Sequence, residues 1–286
     1  MESSNSADGI DRSAAAPVRA RSYLFVPATR PDRIAKAFAA GADAVIVDLE
    51  DAVALDAKDA ARAALANALN PERPVIVRIN AATTAWFAED LRLCRAPGVA
   101  AVMLPKAESS TELREVIDGI GRTLPLLPLV ETARGLWNVL EMAQAAGVQR
   151  LAFGTIDFQL DLSLTGAGHE ELAPFRAQLV LASRVAGVQS PIDGPTATFD
   201  DARAVCADAL RARRAGFGAK LCIHPQQVKW VNESFTPSVE ETTWARRIVA
   251  AVQAAQGGVV AVDGKMVDRP VLALAEQILA LAPGDV

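Results

Sequence analysis

Cysteine is scarce and scattered: Cys94, Cys206 and Cys222 are the only three, and none stands in a CxxC spacing. So few and so widely spaced, they support neither a disulfide framework nor a structural zinc site, and they point to a reducing compartment, the cytoplasm. Histidine is scarcer still. With only His169 and His224 available, imidazole metal sets and Cys/His nucleophile pairs have little material, and no GxSxG turn offers a serine nucleophile. No stretch approaches the roughly 18 uninterrupted apolar residues of a membrane span. Residues 1–20 lack a continuous apolar segment, are rich in Ser, Ala and Asp, and read as a loose, disordered leader rather than a secretory signal. Basic excess is missing too. Lys and Arg total 29 against 34 for Asp and Glu, a net charge of −5, which excludes the footprint of a general nucleic-acid binder.

What is present is apolar material in a regular order. The 286 residues are 51% hydrophobic and 22% charged, enough for a large core. From residue 22, short apolar β-branched runs alternate with Ala-rich helical patterns, and the alternation repeats eight times. The runs are Ser22 to Val26, Ala44 to Leu49, Pro74 to Ile79, Val99 to Leu104, Leu124 to Val130, Arg150 to Phe153, Gln189 to Ile192 and Ala219 to Ile223. Between them lie helical patterns at Pro31 to Ala40, Ala57 to Leu69, Thr111 to Ile120, Leu136 to Ala146, Glu171 to Ala186 and Asp200 to Ala215. Glycines such as Gly187 and Gly216 follow them where a left-handed cap belongs.

Continuous apolar runs suit parallel strands buried on both faces. Eight such units, with no GxGxxG after the first, predict an α/β fold of the (β/α)8 TIM-barrel type over residues 21–236. Residues 237–286 read as a C-terminal helical lid or arm: a helix over Ser238 to Ala255, a break at Gly257-Gly258, an apolar stretch at Val259 to Val262 and a helix from Pro270 to Ala282.

Nearly every run carries its polar residues at its C-terminal end: Asp48-Leu-Glu50-Asp51, Arg78-Ile-Asn80, Lys106-Ala-Glu108, Glu131-Thr-Ala-Arg134, Asp157, Asp193 and His224. In a (β/α)8 barrel those ends share the face on which active sites are built. Any single acidic residue there also serves as a helix cap, whereas the set as a whole, with Asp48, Arg78 and Glu131 ending apolar runs, fits a shared site. Glu131 and Asp157 together suggest an oxygen-ligated divalent metal, Mg2+, and Arg78 offers a planar fork for a substrate carboxylate. A metal beside an arginine suits a 2-oxo or 2-hydroxy acid. His169 is expected in an exposed loop; His224 lines the site or packs under the next helix.

The segments Arg21-Ser-Tyr-Leu-Phe-Val-Pro-Ala28, Asp48-Leu-Glu-Asp-Ala-Val53, Arg78-Ile-Asn80, Met103-Leu-Pro-Lys-Ala-Glu108, Glu131-Thr-Ala-Arg-Gly135, Phe153-Gly-Thr-Ile-Asp-Phe158, Pro191-Ile-Asp-Gly-Pro195 and Lys220-Leu-Cys-Ile-His-Pro225 resemble the citrate lyase beta-subunit-like family, within the malyl-CoA lyase and 2-oxo-acid aldolase group. The resemblance implies Mg2+-dependent cleavage of a short 3-hydroxyacyl-CoA, malyl- or citramalyl-CoA, to a 2-oxo acid and an acyl-CoA. It implies that Arg78 and Glu131 meet the substrate, that Glu131 and Asp157 hold the metal, and that Glu50 and Asp51 order its waters. Arg21 is implied as a contact for CoA. Asp268, in the lid-like Asp263-Gly-Lys-Met-Val-Asp-Arg-Pro270, is implied as the acid for the enolate, delivered in a homo-oligomer, a trimer by resemblance, to a neighbouring subunit. A citryl carrier-protein lyase subunit, a divalent-metal aldolase or thioester hydrolase, and a non-catalytic CoA- or oxo-acid-binding barrel are the alternatives. Two departures from the family pattern stand out: Ala219 where a second glycine is usual, and an atypical loop after Asp157.

Overall fold

The computed structural model describes residues 20–255 and 260–282; the leader, the Gly257-Gly258 break and Val259 lie outside the described residues. The chain divides into two compact units, one ending at Val231 and the other beginning at Asn232.

In the first unit, eight parallel strands close into a barrel in sequence order. They are β1 (Ser22–Pro27), β2 (Ala44–Asp48), β3 (Val75–Arg78), β4 (Val99–Leu104), β5 (Leu126–Val130), β6 (Arg150–Phe153), β7 (Gln189–Asp193) and β8 (Ala219–Cys222). Each apolar run expected from the sequence contains one of these strands or its larger part. Closure is made by β1 against β8, with Ser22 opposite Lys220 and Leu24 opposite Cys222. Helices between the strands complete the (β/α)8 barrel.

Strand side chains alternate between the barrel interior and the helical layer. The interior is filled by Tyr23, Ala44, Ile46, Ile76, Ala101, Met103, Leu127, Leu129, Ala152, Ile192, Ala219 and Leu221, all buried. Counting two residues on from the last of these in each strand gives Phe25, Asp48, Arg78, Pro105, Glu131, Gly154, Gly194 and Ile223. The same period of two that packs the core therefore sets three charged residues, Asp48, Arg78 and Glu131, in the layer at its C-terminal end.

Several local expectations are corrected. The pattern Leu136 to Ala146 forms two short helices, Ala133–Trp137 and Val139–Gln144, divided at Asn138. The segment after Asp157 is a loop only in its second part: Thr155–Asp161 is helical, with Asp157 in its first turn, and the loop proper begins at Leu162. His169 does not sit in a loop but opens the helix His169–Ala186, which ends at Gly187 in the left-handed conformation (φ 72°). Ala219 belongs to the buried interior and does not border a ligand cavity.

The second unit is not purely helical. The helix Val239–Ala254 starts from a capping box in which Ser238 and Glu241 satisfy each other's backbone N–H. An antiparallel hairpin follows, β9 (Val260–Val262) and β10 (Lys265–Val267), turned by Asp263-Gly264 with positive φ at both positions. The last helix, Arg269–Leu281, packs on the first through Ala245, Ile248 and Ala275. No helix of the described residues is long and apolar enough to cross a membrane.

Candidate active site at the C-terminal mouth of the barrel

A cavity of about 510 Å³ opens on that C-terminal layer, bordered by Asp48, Asp51, Arg78, Glu131 and Asp157, with Phe25, Leu129, Ile156, Leu221 and Ile223 as its apolar wall. Five carboxylates, counting Glu50, are thus gathered around two cations, Arg78 and Lys106.

Asp48 ends β2 and is almost wholly buried. Its carboxylate accepts Nε and Nη2 of Arg78 at 2.7 Å each, and also the backbone N–H groups of Glu50 (2.8 Å) and Ala52 (3.0 Å). Arg78 therefore does not offer an empty fork, as its sequence position suggests. One edge of its guanidinium is committed to Asp48, its face lies 4.9 Å from the Phe25 ring, and Nη1 lies 3.0 Å from Glu50. The carboxylates around it push the guanidinium pKa upward despite burial, so it stays charged.

The turn after β2 is held from beneath by Lys58. This buried ammonium donates to the carbonyls of Leu49 and Glu50, both at 2.7 Å, and stands 5.5 Å from the Trp86 ring. Burial pushes its pKa down, against the pull of Asp48 and Glu50. Glu50 is itself buried, and burial raises its carboxyl pKa although Arg78 and Lys106 oppose the rise.

Glu131, one residue beyond β5, accepts the backbone N–H of Lys106 on Oε1 at 2.8 Å. Burial, reinforced by the charge of Glu50, pushes its carboxyl up to about 8. Lys106 makes that bond from a left-handed conformation (φ 48°), which costs a residue with a Cβ roughly 1–2 kcal/mol. Its ammonium pairs with Glu50 and lies 4.0 Å from Asp51. Gly154, at the end of β6, leaves the room Glu131 needs: a Cβ there would stand 2.6 Å from that of Glu131.

The donor set fits a hard divalent cation. Neither Oε2 of Glu131 nor the half-buried carboxylate of Asp157 accepts a hydrogen bond among the described residues, and both side chains border the cavity. Among those residues no three acidic, His or Cys side chains converge closely enough to hold a metal alone. Two carboxylates, with positions left for water and substrate, are what Mg2+ requires.

One expected site residue lies at the other end of the barrel. Arg21 precedes β1 and pairs with Asp43 through Nε (2.8 Å) and Nη2 (3.0 Å) at the start of β2. A strand length, roughly 20 Å, separates that end of the barrel from the cavity, so the fold removes Arg21 from the site. Asp268 belongs to the second unit, where its carboxylate caps the helix Arg269–Leu281 by accepting the N–H of Val271 at 3.1 Å. Neither histidine borders the cavity; His224 stacks against Phe199 at 4.6 Å. The sequence places Lys106 among the strand-end polar residues without a role and leaves Lys58 and Gly154 unremarked, because nothing in a lone lysine or glycine announces a left-handed turn or a clamp.

Fold and site together define a (β/α)8 barrel with a carboxylate-lined cavity at its C-terminal mouth. The model of the HpcH/HpaI aldolase/citrate lyase family matches residues 21–225, and the chain belongs to that family. It is 37% identical over 282 residues to a citrate lyase subunit beta-like protein of Deinococcus radiodurans, covering 93% of this chain and 98% of that one. A (3S)-malyl-CoA thioesterase of Cereibacter sphaeroides is 34% identical over 276 residues, covering 92% and 94%. Among solved structures, CitE of Mycobacterium tuberculosis in complex with magnesium, acetoacetate and coenzyme A superposes with a TM-score of 0.82 at 38% identity, covering 93% of this chain and 99% of the other.

Proposed function

We propose that this protein is a Mg2+-dependent carbon–carbon lyase that cleaves a short 3-hydroxyacyl-CoA, of the malyl or citramalyl type, into a 2-oxo acid and an acyl-CoA. The observation that carries it is the placement of two carboxylates with oxygens that accept no hydrogen bond among the described residues, Glu131 through Oε2 and Asp157, on one cavity with the buried cation Arg78. The magnesium, acetoacetate and coenzyme A bound by the CitE relative support the same ligand set here.

Glu131 and Asp157 would hold Mg2+, which when bound supplies Lewis-acid polarisation of the oxo-acid oxygens. Arg78 turns Nη1, the corner not bound to Asp48, to the substrate carboxylate. Asp51 at the rim, with Glu50 buried behind it, would order the metal's water. In cleavage the bond between the carbinol carbon and the thioester α-carbon breaks, and its electron pair moves to the α-carbon. The hydroxyl gives its proton to water at the mouth and becomes the keto oxygen of the oxo acid. The resulting enolate takes a proton, and Asp268 is the assigned donor, delivered by a neighbouring copy in a homo-oligomer. A carboxyl on a closing segment suits that task, since closure keeps water from the enolate. Exposure of Trp137 (85%), Leu160, Leu181 and Val185 supports self-association.

A second reading, thioester hydrolysis, is favoured by the likeness to the malyl-CoA thioesterase. There water attacks the thioester carbonyl and CoA leaves as the thiol, with the hydroxy acid intact. Incubation with Mg2+ and a panel of malyl-, citramalyl- and citryl-thioesters separates the two. Released oxo acid with acyl-CoA supports the lyase; free CoA with intact hydroxy acid supports hydrolysis; inertness toward the whole panel overturns both. Asp268→Ala is expected to abolish turnover, and undiminished activity in that variant removes Asp268 from the mechanism.

A further inference from the structure

Lys106 occupies a backbone conformation that favours glycine, yet it keeps a long charged side chain (φ 48°). Both ends of the residue are engaged. Its N–H holds Glu131 Oε1 at 2.8 Å, and its ammonium pairs with Glu50 Oε1. The other oxygen of Glu50 is buried without an aligned hydrogen bond, although Arg78 Nη1 lies 3.0 Å away. Glu50 is therefore a carboxylate within reach of the cavity's cations that is kept occupied chiefly by Lys106.

The charges of the mouth then fall into two groups. Asp48 is neutralised by Arg78 through two 2.7 Å bonds, and Glu50 by Lys106. Glu131 and Asp157 have no cation of the protein within ion-pair distance among the described residues. Lys106 shapes both groups at once, since it withholds Glu50 with its side chain and orients Glu131 with its backbone.

We propose that Lys106 is a positioning residue that selects Glu131 and Asp157, and not Glu50, as the carboxylates presented to a divalent cation. The assignment rests on the metal site proposed above. It predicts opposite effects for its two halves. Lys106→Gly keeps the left-handed backbone and the N–H to Glu131 but removes the ammonium from Glu50, leaving that carboxylate with Arg78 Nη1 as its cation neighbour and the site one positive charge poorer. Lys106→Val removes the ammonium and also disfavours the conformation that aims the N–H, because a β-branched residue resists positive φ.

The test is calorimetric titration of metal-free protein with MgCl2, for the wild type and for the Gly, Val and Arg variants, with folding checked by circular dichroism. Lys106→Gly should bind Mg2+ about three- to tenfold more tightly, as expected for one cation removed nearby. It should also raise KM for the anionic thioester more than it lowers kcat. Lys106→Val should bind at least about tenfold more weakly, as loss of an orienting partner does, while Lys106→Arg stays within about twofold of the wild type. If the Gly and Val variants both weaken binding, or neither changes it, Lys106 is only structural and the proposal is overturned. If the wild type itself takes up no Mg2+, the metal-site reading fails first, which is a distinguishable result.

Discussion

Asp48 and Arg78 face each other across the ends of adjacent strands, paired in register, and are joined by two parallel hydrogen bonds of 2.7 Å. Both side chains are buried. Asp48 also accepts two backbone N–H groups of the turn that carries Glu50, so one carboxylate fixes an arginine and a loop together. Asp48→Ala leaves a buried guanidinium with only its Glu50 and Asp51 neighbours. Removing one partner of a buried pair costs about 3–5 kcal/mol. The variant is expected to melt well below the wild type and to lose turnover, as read by calorimetry and a thioester-cleavage assay. A melting temperature within a degree of the wild type rules out a structural role for the pair.

Gly154 has a spatial reason rather than a conformational one. A Cβ at this position would stand 2.6 Å from that of Glu131, far inside contact distance. Since Glu131 is itself pinned by the Lys106 N–H, the added methyl displaces the carboxylate or the end of β6. Gly154→Ala is expected to weaken Mg2+ binding by about tenfold or more, on the scale of a misplaced ligand. Titration calorimetry measures this directly. Unchanged affinity shows that Glu131 is not the ligand the geometry suggests.

The pH response of Glu131 follows from its surroundings. Burial and the nearby Glu50 hold its carboxyl up at about 8, so below that pH it carries a proton that a cation must displace. Mg2+ affinity is expected to rise with pH and level off above about 8. In metal-free protein the sign for stability is opposite to that of an ordinary paired carboxylate. The folded state binds this proton more tightly than the unfolded chain, so the contribution is fully present below the ordinary carboxyl value and is lost as pH rises through about 8. Melting curves in chelator from pH 5 to 9, for the wild type and Glu131→Gln, isolate the effect. Their difference should move against the wild type as pH rises; a difference independent of pH contradicts the shift.

The barrel was legible because its eight apolar runs are separate, of strand length and interleaved with helical periods. The mouth was legible for a related reason: Asp48, Arg78 and Glu131 continue an inward-facing alternation, so a polar residue at the next inward step faces the cavity. What stayed hidden depends on geometry that sequence spacing does not encode. Arg21 sits beside a strand like the site residues, but at its start, and Asp43 is its partner there. Arg78 looks like a free fork until Asp48 is seen to occupy it. The second strand of the hairpin, Lys265–Val267, is too short and too exposed to show a period.

Lys58 makes the last prediction, because its burial has a specific cause. An ammonium removed from water is costly, and among the described residues no carboxylate pairs with it directly; two carbonyls at 2.7 Å and the Trp86 face replace its water. Those carbonyls belong to Leu49 and Glu50, the turn that sets Glu50 and Asp51 at the cavity. Lys58→Met preserves much of the buried volume but leaves both carbonyls without that donor, a loss of about 1–3 kcal/mol. Because the turn then relaxes, the anchoring of Glu50 against Lys106 and Arg78 should loosen as well. Hydrogen exchange is expected to accelerate at Glu50 and Ala52, whose N–H groups Asp48 accepts, ahead of the strands below. Exchange that accelerates uniformly across the barrel instead assigns Lys58 to general stability and separates it from the site.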